Sequence, residues 1–109
     1  MKNTDKLPST LLREVSPGLM EGFQISRDAI AQVGSLDKQA MEMVMLAAFV
    51  TAGYEAAVKI HARRLLDMGM PIENIQQIAL ATFGATTTVS GASRALKWIE
   101  EIVDGQGSS

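Results

Sequence analysis

The chain has 109 residues, 47% of them hydrophobic, with 10 Lys and Arg against 12 Asp and Glu. That is enough apolar material for one core and too little chain for two domains, and a net charge of −2 gives nucleic acid or an anionic membrane no cationic surface to bind. With no cysteine and a single histidine, disulfides, thiolate nucleophiles and Cys-ligated metals are excluded, and no metal site is expected.

The longest unbroken apolar run, Met43 to Val50, falls far short of the roughly 18–20 residues a bilayer span requires. The first residues, Met1 to Lys6, carry an acid and no following apolar stretch, so no secretory signal is read there and a cytoplasmic protein is expected.

In chain order, Met1 to Pro8 are polar and expected to be flexible, and Ser9 to Val15 can form one or two helical turns. Ser16 followed by Pro17 is a helix start, because the serine side chain accepts from an orphan backbone N–H and proline presets the first helical φ. That helix is expected to reach about Gln32, burying Leu19, Phe23, Ile30 and either Ile25 or Ser26, with Gly34 as its stop. Asp37 is a second N-cap, opening an apolar helix that contains Glu42. From Ala40 to Ala52 every other residue except Thr51 is apolar, so this helix belongs inside a fold or an interface.

Gly53 breaks the pattern, since glycine inside a helix costs about 1 kcal/mol relative to alanine. Beyond it Tyr54, Ala57, Val58, His61 and Leu65 recur at helical spacing and form one inward face. Glu55, Lys59 and Arg63 lie on the other, with Glu55 to Lys59 in the favourable i,i+4 order. Gly69 suits the left-handed position after a helix. Pro71 is read as the first residue of the next helix, whose inner face is Ile72, Ile75, Ala79, Thr82 and Phe83. A last helix from Ser90 to Val103 repeats the pattern with Ala92, Ala95, Leu96, Ile99 and Val103, and Gly105 to Ser109 are expected to be flexible. Nothing alternates with period two long enough for a strand. The expectation is a single all-α domain of five to six helices over 1–109, and its small and apolar surfaces predict a homo-oligomer.

An acid inside an apolar helix and an inward imidazole on the next helix form the chemical signal. Glu42 left unpaired among methionines and leucines would cost several kcal/mol, so it needs a partner. Lys38, one turn earlier, is one candidate in the weaker order; His61 is the other. Three further readings of the chain carry no chemistry. Glu73 serves the first turn of its helix, Arg94 and Trp98 stack one turn apart, and the methionines fill irregular gaps. The stretch IQQIALATFGATTTVSGASRALKW has the flavour of a DNA-binding helix-turn-helix. With Gly84 as its turn glycine, Leu80 stands where a small residue belongs and Ser90 where an apolar one belongs, and both fail.

Taken together, Glu42 in its apolar helix, Gly53, the step from residue 54 to 57, His61, Gly69, Glu73 and Ile75 resemble the carboxymuconolactone decarboxylase-like family, which includes the alkyl hydroperoxidase D proteins, over Pro17 to Val103. In the hydroperoxidase branch two cysteines join a glutamate and a histidine in a proton relay. The resemblance places Tyr54 and Ala57 at the cysteine positions and maps the acid and imidazole onto Glu42 and His61. Without a thiolate there is no disulfide exchange, so thiol peroxidase activity is not expected. The decarboxylase branch also lacks the cysteines; its members have asparagines before the turn glycine, where this chain has Asp67 and Met68 before Gly69. The resemblance implies a cofactor-independent decarboxylation of a small carboxylated lactone or related acid. His61 and Glu42 would be catalytic, and Tyr54, Ala57 and Arg64 would line the substrate. The competing expectation is a non-catalytic helical oligomer that binds a ligand or partner.

Overall fold

The computed structural model describes residues 8–108, and they are all-α. Six helices follow one another: α1 (Pro8–Val15), α2 (Pro17–Ala31), α3 (Lys38–Ala52), α4 (Glu55–Asp67), α5 (Ile72–Ala81) and α6 (Val89–Ser108). Among the described residues the only β pairing is one isolated bridge between Phe83 and Thr87. Among the described residues no helix is long and apolar enough to cross a membrane. The expectations for residues 1–7 and 109 lie outside the described residues.

The chain divides at Leu36 and Asp37 into two compact units. In the first, α1 and α2 form a helical hairpin. Ser16 caps α2 as expected, its Oγ accepting from the Leu19 N–H at 3.3 Å, and Pro17 starts the helix. The expected buried face does not form. Leu19, Phe23, Ile25 and Ile30 are exposed, Phe23 by 56%, and Met20 is the buried residue of α2. Two helices of eight and fifteen residues have too little mass to enclose an apolar face between them.

The second unit packs α3 against α4, α5 and α6, with α4 and α5 also against α6 and against each other. Asp37 caps α3 through Oδ1, which accepts from the Ala40 N–H at 2.8 Å. α3 ends at Gly53, whose φ of +76° is a left-handed conformation that costs an ordinary L-residue about 1–2 kcal/mol. This turn folds α4 back along α3. Leu46, Val50, Val58, Ala62, Leu65, Ile75, Ala79, Ala95 and Ile99 fill the core between the four helices. Fully burying side chains of this size is worth about 1.5–3 kcal/mol each.

Three boundaries differ from the sequence reading. Pro71 is the N-cap of α5, with ψ 147°, and not its first residue. That helix stops at Ala81, so Phe83 falls in the following turn and is exposed, whereas Thr82 is buried as expected. There Thr82 Oγ1 donates to the Ala79 carbonyl and pairs with Thr87 Oγ1 at 2.9 Å, and Thr86 meets Thr51 of α3 at 2.8 Å. α6 continues past Val103 through Gly105 to Ser108.

Candidate functional site

α3 and α4 run side by side, and the pair that their sequences singled out meets between them. Glu42 lies in the second turn of α3, His61 midway along α4. Their contact is direct: His61 Nδ1 lies 2.5 Å from Glu42 Oε1, within the range of a charge-assisted bond. Both side chains are largely withdrawn from water, Glu42 at 11% and His61 at 14% exposure. Arg64, one turn beyond His61, reaches the second carboxylate oxygen, Nη1 to Oε2 at 3.4 Å, while remaining 53% exposed. Glu42 therefore takes its partners across the helix interface from α4, and not from Lys38 on its own helix. No buried side-chain N or O among the described residues lacks a hydrogen-bond partner.

The local sequence explains the placement. Val58, Ala62 and Leu65 are fully buried and pin α4 on the core. His61 sits beside that stripe, at its edge, and is part-buried. On α3, Leu46 and Val50 play the same anchoring role, both buried in the core.

Tyr54, expected on the inward face, is 60% exposed. It is the N-cap residue of α4, with φ −92° and ψ 96°, so its side chain does not follow the helical register that Ala57 and His61 share. Ala57 is part-buried on the turn before His61.

One residue that the sequence reading passed over belongs to this group. Phe49 lies seven positions after Glu42, two turns along the same stripe of α3. Its ring centroid is 4.9 Å from that of His61 at an interplanar angle of 35°, and 6.2 Å from Tyr54 at 37°. The seven-residue interval from the buried acid was the available signal.

A histidine whose Nδ1–H donates to a carboxylate keeps Nε2 as the atom free to exchange a proton. Such an acid–imidazole pair can transfer a proton and hold a developing negative charge. Among the described residues no group of three or more His, Asp or Glu side chains is arranged to hold a metal ion. Two surface depressions are lined elsewhere, one by Arg13, Pro17, Met20 and their neighbours within the α1–α2 hairpin, the other by Gln76, Leu80, Leu96 and Lys97 between α5 and α6.

Residues 17–101 match the Carboxymuconolactone decarboxylase family. The chain belongs to the carboxymuconolactone decarboxylase family. The family match begins in α2 and ends in α6, so it draws on both units of the fold. This family member is also similar to the uncharacterized protein MJ1511 of Methanocaldococcus jannaschii, at 36% identity over 73 residues. That alignment covers 66% of this chain and 64% of the relative, so the chain spans a little under two thirds of the relative's length. No solved structure matches the chain. The sequence has no cysteine and so offers no thiolate for thiol–disulfide exchange.

Proposed function

We propose that this carboxymuconolactone decarboxylase family member catalyses a cofactor-independent decarboxylation of a small carboxylated lactone or related acid. The observation that carries the reading is the 2.5 Å contact between Glu42 and His61 in a largely dehydrated setting. Loss of carbon dioxide leaves the bonding electron pair on the adjacent carbon, delocalised onto the neighbouring carbonyl as a dienolate. The step needs a group to hold that negative charge and a proton for carbon.

His61, protonated on Nε2, is the proton donor, and it recovers the proton from solvent after product leaves. Glu42 orients the ring through Nδ1 and stabilises the imidazolium that precedes transfer. Arg64, half exposed and only loosely engaged by Glu42, is free to take a carboxylate or enolate oxygen. Tyr54 stands at the solvent side, and Ala57 leaves room for the ligand.

Self-association is part of the same reading. Within the first unit nine large apolar side chains from Leu11 to Leu36 are exposed. Such a surface is what a second copy of the chain would cover. Sedimentation showing only an 11.7 kDa species at micromolar concentration would count against it.

A second reading is supported by the low exposure of both side chains: the pair joins α3 to α4 and has no turnover. A panel of lactones and small carboxylic acids, followed by carbon dioxide release, separates the two. Decarboxylation by the unaltered chain, abolished in folded His61→Ala, supports the enzyme. Turnover unaltered in His61→Ala removes His61 from the mechanism.

A further inference from the structure

Helix α3 supplies two contacts to the imidazole and not one. The hydrogen bond to Glu42 fixes where Nδ1 points, and turning the ring about Cβ–Cγ would carry Nδ1 off Oε1. The Phe49 ring, 4.9 Å away and tilted by 35°, lies across that rotation. Phe49 is itself held, since it packs against the buried core. The structure assigns Phe49 the role of a positioning residue: it fixes the plane of His61 so that Nδ1–H stays on Glu42 and Nε2 is presented outward as the working atom.

The same ring also touches Tyr54. Tyr54 follows the left-handed Gly53 and is turned back toward the end of α3, its N–H donating to the Phe49 carbonyl at 3.1 Å. Phe49 thus neighbours both the phenol and the imidazole, and one helix sets its position relative to each. An aliphatic side chain of similar bulk fills the space but presents no flat face, so it does not hold a ring plane in the same way.

This inference rests on the reading that His61 is the working group of the site, and its test does not depend on turnover. His61 is the only histidine, so the ring nitrogens of the ¹⁵N-labelled full chain give a single set of signals. At alkaline pH, where a neutral imidazole carries one proton, their shifts report which nitrogen holds it. The unaltered chain and Phe49→Tyr are expected to show one dominant tautomer, with the proton on Nδ1. In Phe49→Leu and Phe49→Ala the second tautomer appears, with the ratio changing by about two- to tenfold, the population shift one aromatic contact supports. A general loss of stability does not move that ratio in the folded protein, and Phe49→Leu serves if the alanine variant fails to fold. If the unaltered chain holds its proton on Nδ1 and the leucine variant keeps the same ratio, the role of Phe49 is overturned while the pair stands. A proton on Nε2 in the unaltered chain overturns the donation from Nδ1 to Glu42, and the role of Phe49 with it.

Discussion

The Glu42–His61 contact can be weighed by a double-mutant cycle of Glu42→Met, His61→Leu and the two together. His61→Leu leaves a carboxylate at 11% exposure with Arg64 at 3.4 Å as its remaining partner. Breaking a fully buried pair costs about 3–5 kcal/mol; the residual arginine and partial hydration bring the expected loss to about 2 kcal/mol. Glu42→Met removes the charge and strands an imidazole N–H, which is smaller, about 1 kcal/mol, and Arg64 turns to water. The double variant puts two apolar side chains where the ions were, and its expected cost is about 1 kcal/mol or less.

These values give a coupling of about 2 kcal/mol, in the range of charge-assisted hydrogen bonds. Urea denaturation reads it directly. In thermal melts it corresponds to roughly 4–8 °C for each kcal/mol in a chain near this size. All four proteins must be compared at one concentration, because any self-association would make the midpoint depend on it. If the double variant loses the sum of the single losses to within about 0.5 kcal/mol, the two residues do not interact in solution and the site as described does not exist.

Gly53→Ala is expected to destabilise by about 1–2 kcal/mol in urea titrations. The new Cβ meets Arg94 Nη2 at an ordinary 3.6 Å, so the loss comes from the +76° backbone and not from a clash; an unchanged midpoint would refute it. Lys59 bridges Glu101 at 2.8 Å and Glu55 at 2.9 Å. Hydrogen bonds that it donates, first to Glu101 and then to Glu55, raise its ammonium above its ordinary range, so its stabilisation is full below the ordinary lysine range and fades as pH rises through the raised value. The bond from Lys59 lowers the Glu101 carboxyl, so that contribution is present above the ordinary carboxylate range and fades as pH falls through the lowered value. Lys59→Met should flatten the melting-temperature profile at both its alkaline and acidic ends and weaken its salt dependence; parallel profiles for the two proteins would refute the bridge.

Much of this was legible before any coordinates. Ser16, Asp37, Gly53 and Gly69 mark helix ends through local chemistry, and each lies where that chemistry put it. The pairing of Glu42 with His61 followed from the need of a buried acid for a partner. What a single helix pattern cannot supply is how far a face is covered. The periodicity of α2 is real, yet Phe23 and Ile25 stay exposed because nothing in the α1–α2 hairpin is large enough to cover them. Tyr54 misled in another way, since residues flanking a left-handed glycine leave the helical register. Phe49 was missed because an apolar residue in an apolar helix carries no mark of its own; only its interval from Glu42 distinguishes it.

A carboxylate and an imidazole are an expensive way to join two helices that Leu46, Val50, Val58 and Leu65 already hold together. Burying them sacrifices hydration that two apolar side chains would not lose, and the net gain over such a pair is small or negative. If the double variant proves as stable as the unaltered chain, the packing of α3 on α4 does not require the pair. Its placement then calls for a chemical explanation, which proton transfer through Nε2 provides. A double variant that fails to fold would return the pair to architecture and leave decarboxylation resting on turnover alone.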